Sequence, residues 1–99
     1  MNDEQKAALE RLFAIAIEHD TGTSSRVANF LLAWWNAREN GGFDFTDFWS
    51  LDRSILADCW TVLSYVATHR EYHEAEFGKQ FEQVVILWRK PKRKREAKR

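Results

Sequence analysis

Cysteine is nearly missing from this chain: Cys59 stands alone in 99 residues. No disulfide can therefore close within it, and a reducing cytoplasm is the expected compartment. Long apolar runs are missing too. The two longest, Leu12 to Ile17 and Phe30 to Trp35, hold six residues each, against about 20 for a membrane span. The opening Met-Asn-Asp-Glu is acidic and lacks the basic start of a signal peptide. No internal repeat, βαβ pattern, Asn-Gly hairpin or glycine-rich phosphate loop occurs. The length suits one small domain and is too short for the two-lobed architecture of most cofactor-dependent enzymes. With 44% apolar and 30% charged residues, the composition is that of a globular chain, neither disordered nor fibrous.

Net charge is also absent, but only on average. From Arg89 to Arg99 there are eight Lys or Arg and one Glu, a local charge of +7. The preceding 88 residues carry 7 basic and 14 acidic side chains, a local charge of −7. Like charges packed so densely repel one another and cannot join a core. The expected organisation is a helical domain over residues 1–90 and a basic tail over residues 91–99.

Periodicity defines the helices. Asn2 or Asp3 caps a first helix, in which Leu9, Leu12, Phe13, Ala16 and Ile17 follow the i, i+3, i+4 pattern. Gly22 then serves as terminator, and Thr23, Ser24 or Ser25 caps a second helix. Val27, Phe30, Leu31, Trp34, Trp35 and Arg38 repeat the spacing until Gly41 and Gly42 stop it. The stretch from Phe43 to Trp49 reads as an extended entry and a short helix capped at Thr46. From Asp52 onward, Leu56, Cys59, Trp60, Leu63 and Val66 or Ala67 form a stripe that Ile55 and Val62 widen, so a central helix packed on more than one side is expected. Gly78 breaks the polar stretch after His69. Phe77, Phe81, Val84, Val85 and Trp88 form the last apolar stripe, and Pro91 ends that helix. The fold class is all-α: four or five helices bundled around one aromatic-rich core, with a basic C-terminal tail.

The residues Gly22-Thr23-Ser24-Ser25-Arg26-Val27-Ala28 with Phe30-Leu31-Leu32, then Phe43-Asp44-Phe45-Thr46-Asp47, Leu51-Asp52, and His73 after Glu71, resemble an uncharacterised family of small proteobacterial proteins often carried on plasmids and integrative elements. The likeness spans about Gly22 to Glu82. It implies a helical fold and a bacterial, mobile-element setting, and it implies no activity. The tryptophan-rich segment at Trp34 and Trp35 and the basic tail depart from the pattern, so no role for the tail is inherited.

Candidate chemistry is sparse. His69 and His73 stand four apart, a spacing that on a helix would let both imidazoles grip zinc or act as acid and base. The metalloprotease signature, however, needs Glu where this chain has Arg70. A solvated polar segment is the expectation, with no metal, no cofactor and no catalytic residue. Thr23 to Arg26 has the ingredients of an anion cradle but reads first as a helix cap. Cys59, on an apolar stripe beside Trp60, reads as a small hydrophobe. Asp44, Asp47, Asp52 and Asp58 do not match a calcium loop, and read as caps and solvated acids.

Five tryptophans exceed what so small a core needs. Trp34, Trp60 and Trp88 are expected in the core. Trp35, about 100° around the helix from Trp34, and Trp49, beside Phe48, are expected on a patch that meets a protein partner or a second copy of the chain. In the tail, Arg89, Lys90, Lys92, Arg93, Lys94, Arg95, Lys98 and Arg99 suit nucleic-acid phosphates, bound without sequence choice and with strong salt dependence. An idle solvated tail, docking onto an acidic surface such as this protein's own body, and an anionic membrane surface are the other readings. The functional expectation is a non-enzymatic binding or accessory protein. The alternatives are a small inhibitor of host machinery acting through its acidic body, and a self-associating interaction module.

Overall fold

The computed structural model describes residues 1–69 and 74–90, the side chains of residues 74 and 75 excepted. Among these residues every regular element is helical and none is a strand. Five α-helices follow in order: α1 (Asp3–Glu18), α2 (Gly22–Trp34), α3 (Ala37–Asn40), α4 (Arg53–Thr68) and α5 (Glu74–Trp88), with a 3-10 helix over Phe45–Ser50 between α3 and α4. No helix among them is long and apolar enough to cross a membrane.

Local chemistry starts the helices. Asn2 caps α1 in a reciprocal box: its side chain accepts from the Gln5 amide at 2.8 Å, and the Gln5 side chain accepts from the Asn2 amide at 3.0 Å. Thr21 caps α2, its hydroxyl accepting from the Ser24 amide at 3.1 Å. The cap therefore sits ahead of the expected Thr23, Ser24 or Ser25, and Gly22 begins α2 instead of terminating α1. Ser24 is fully buried and shares a 2.9 Å hydrogen bond with the Thr21 hydroxyl, so it is not available to an anion.

Helix α1 is the centre of the molecule, packing against α2, α4 and α5. The wide stripe of α4 had suggested that α4 would hold that place. Instead Cys59, Val62 and Tyr65 turn inward, while Trp60 stands 65% exposed on the other side. The expectation of a core Trp60 is thus corrected: the stripe is wide because it comprises an inner and an outer face. Arg11 of α1 forks onto Asp58 of α4 at 2.8 and 2.9 Å, tying the two helices at the solvent edge.

Helix α2 stops six residues short of the expected Gly41. Asn36 adopts a left-handed conformation, φ 57° and ψ 67°, and the chain turns. The turn changes where two adjacent indoles point. Trp35 stacks on Phe81 at 4.7 Å and 7°, and Trp34 meets the same ring edge-on at 5.5 Å. On a continuous helix Trp35 would point away from that ring. Asn40, buried, holds the turn by donating its amide to the Trp35 carbonyl at 3.0 Å. The expectation of a fully exposed Trp35 is therefore corrected: Trp35 is half-buried against α5.

Helix α5 runs through Gly78, which breaks nothing. It buries Phe77, Phe81, Val84 and Trp88. At its end the Trp88 indole donates to the Ala16 carbonyl of α1 at 2.7 Å, giving a buried N–H its acceptor.

Candidate protein-docking face

After α3, Gly41 takes φ 93°, which a side chain would strain, and lets the chain leave toward Phe43. Asp44, and not Thr46, then caps the 3-10 helix. Its carboxylate accepts from the Thr46 amide at 2.9 Å and from the Thr46 hydroxyl at 2.8 Å. These two donors hold the Asp44 carboxyl below its ordinary value. Leu51, buried, closes the segment.

Within this segment the rings divide. Phe43 and Phe48 turn toward Phe30 of α2, with centroids at 5.5 and 6.0 Å, and lie 4.8 Å from each other. Phe45 stacks on the outside of Phe48 at 6.2 Å and 10°. Trp60 of α4 meets Phe48 edge-on at 6.5 Å. Three large rings on the 3-10 helix and α4 are left largely exposed to water: Phe45 at 76%, Trp49 at 85% and Trp60 at 65%. Two apolar depressions accompany them. One, of about 150 Å³, is lined by Phe30, Trp34, Phe45, Phe48, Leu63 and Val66 among others. The second, shallower and of about 350 Å³, lies along the outer stripe of α4 between Arg53, Leu56, Ala57 and Trp60. Arg26 of α2 braces the 3-10 helix through Asp47 at 3.8 Å.

The sequence-predicted site residues are distributed unevenly. Trp49 stands exposed on the 3-10 helix that carries Phe45; Trp35 is half-buried against α5. Phe45 and Trp60 were not expected among the exposed rings. Arg89 is held by the body: its guanidinium donates to the Asn29 side chain at 2.6 Å, to the Asn40 carbonyl at 2.9 Å and to the Trp88 carbonyl at 3.3 Å. It thus clamps the end of α5 to α2 and α3. Lys90 is exposed. Lys92, Arg93, Lys94, Arg95, Lys98 and Arg99 lie outside the described residues.

Of the two histidines only His69 falls among the described residues, and its backbone is not helical. His69 is the C-cap of α4 with extended backbone, stacked on Tyr65 at 4.2 Å with its Nδ1 2.9 Å from the Thr68 hydroxyl; His73 lies outside the described residues. Among the described residues, no three His, Cys, Asp or Glu side chains come together as a metal site. Cys59 is fully buried. Desolvation, aided by the neighbouring Asp58 charge, pushes its thiol up to about 12, which removes the thiolate that reactivity requires.

Fold and face together define a small all-α protein with an exposed aromatic surface. No curated protein and no solved structure matches the chain. Over residues 6–89 it matches a family of unknown function, DUF7673, and the chain belongs to that family. The matched span takes in all the helices except the first three residues of α1 and stops before the basic run from Lys90 onward.

Proposed function

We propose that this protein works by binding and catalyses no reaction: its helical body docks another protein through the Phe45, Trp49 and Trp60 face, and its basic C-terminal run holds nucleic-acid phosphates. The observation that carries the proposal is the exposure of three large rings on the 3-10 helix and α4, two of which, Phe45 and Trp60, pack against the same Phe48 ring. Exposed indoles grouped beside apolar depressions are the usual anchors of a protein interface, and burying each contributes more than its area alone. The run from Lys90 to Arg99 supplies seven cations and one Glu. Contacts of this kind give affinity that falls steeply with salt. Two weak attachments on one chain act as a tether, raising the local concentration of whatever the body binds.

The test has two arms. A partner isolated from the native cell with the full chain, then purified, should slow amide hydrogen exchange over residues 44–60 and should be lost with Trp49→Ala/Trp60→Ala. Protection elsewhere would reject the face. In the other arm, duplex affinity of the full chain should fall linearly on a log–log salt plot, by about 0.9 for each phosphate neutralised. A salt-independent affinity would reject the phosphate contacts.

A second reading is favoured by Asp44, Asp47 and Asp52 around the same rings: in a bacterial, mobile-element setting, the acidic body occupies a basic site of host machinery. Under that reading the body binds its target equally well with residues 91–99 removed.

A further inference from the structure

Resting on the reading of the Phe45, Trp49 and Trp60 face as a docking surface, we infer that its occupant is a cationic peptide segment of another protein, anchored by apolar side chains. Between Phe43 and Asp52 the chain has three aspartates and no Lys or Arg. Arg26 is already set against Asp47, and Arg53 stands at one border of the outer depression, so the balance of charge around the rings remains negative. Asp52 begins α4 without using its side chain as a cap, which leaves that carboxylate to face a partner. Exposed indoles add to the same preference, because the ring face attracts Arg and Lys, and Trp does so most strongly. The depressions are almost wholly carbon-lined. They call for apolar side chains between the cations.

Two other occupants fit less well. A second copy meeting this face about a two-fold axis would oppose the aspartates of both chains, a like-charge arrangement that costs affinity. The chain's own residues 91–99 have the charge, but apart from Pro91 and Ala97 they are all Lys, Arg and Glu. They bring nothing to fill the depressions.

The experiment is selection of a random peptide library displayed on phage against the immobilised full chain, with counter-selection on Trp49→Ala/Trp60→Ala. Enriched peptides should carry net positive charge and at least two large apolar residues. Synthesised, the leading peptide should bind at least tenfold more weakly after its Lys and Arg are changed to Glu, and at least threefold more weakly to Asp44→Asn/Asp52→Asn. Enriched peptides that are neutral or acidic, or that tolerate charge reversal, overturn the inference while leaving the docking face standing. Failure to enrich anything over the double tryptophan variant overturns both. A mass that doubles with concentration in sedimentation, and does so only with both tryptophans present, assigns the face to a second copy and overturns the inference.

Discussion

Arg89 shows how one side chain can be read as ligand-binding when it is structural. In the sequence it is the first of eight cations; in the fold two of its hydrogen bonds join the end of α5 to Asn29 and Asn40. Hydrogen bonds from a charged donor are worth about 1.5–3 kcal/mol where partly buried. Arg89→Ala should accordingly destabilise the protein by about 1–3 kcal/mol in urea unfolding, while the salt slope of duplex binding stays unchanged. A slope reduced by about 0.9 would instead return Arg89 to the phosphate contacts. Cys59 offers a second residue-scale outcome. Its thiol is ordinary when unfolded, titrating near 9.0, and is pushed up to about 12 by burial when folded. Above pH 9 the unfolded chain gives up a proton that the folded chain keeps, so stability falls as pH rises, approaching about 1.4 kcal/mol per pH unit. Urea midpoints measured from pH 8 to 10.5 should decline more steeply for the wild type than for Cys59→Ala, and equal slopes would refute the buried neutral thiol.

The clearest divergence between sequence and structure among the elements lies at α2 and α3. Apolar spacing continues without interruption from Val27 through Arg38, and nothing in it marks the turn at Asn36. What decides the turn is distant: Phe81, some 45 positions later, offers a ring that both Trp34 and Trp35 can contact only if the helix breaks. Long-range packing of this sort overrides local periodicity. Helices α1, α4 and α5 were legible because their stripes meet partners at the expected spacing, and Asn2 was legible as a cap. The docking face was half legible. Trp49 stood out, whereas Trp60 was hidden inside a stripe whose two faces the sequence cannot separate. Asn36 tests the break directly. Within a continuous helix glycine is about 1 kcal/mol worse than alanine. At a left-handed residue the order reverses, since a Cβ costs about 1–2 kcal/mol there. Asn36→Gly should therefore be more stable than Asn36→Ala by thermal unfolding, and the opposite order would mean that α2 runs on through Trp35.

For the molecule as a whole, folding and the proposed nucleic-acid contact separate along the chain. The last anchors among the described residues are the buried Trp88, bonded to Ala16, and the half-buried Arg89, bonded to Asn29 and Asn40. The family match likewise ends at residue 89. A chain ending at Lys90 should then unfold within about 2 °C of the full chain, because it retains the anchors that set its stability. Six of the seven proposed phosphate contacts go with the deleted segment, so duplex affinity at low salt should drop at least a hundredfold and its salt slope should flatten to near one. Binding of cationic peptides to the aromatic face should survive, and should tighten slightly if the removed cations had been neutralising the acidic body through space. Calorimetry, duplex titration and peptide titration on the same two chains check all three outcomes. Retained duplex affinity would move the phosphate contacts onto the helical body, whose first 88 residues carry an excess of seven acidic charges, and would leave the tether without its positive end.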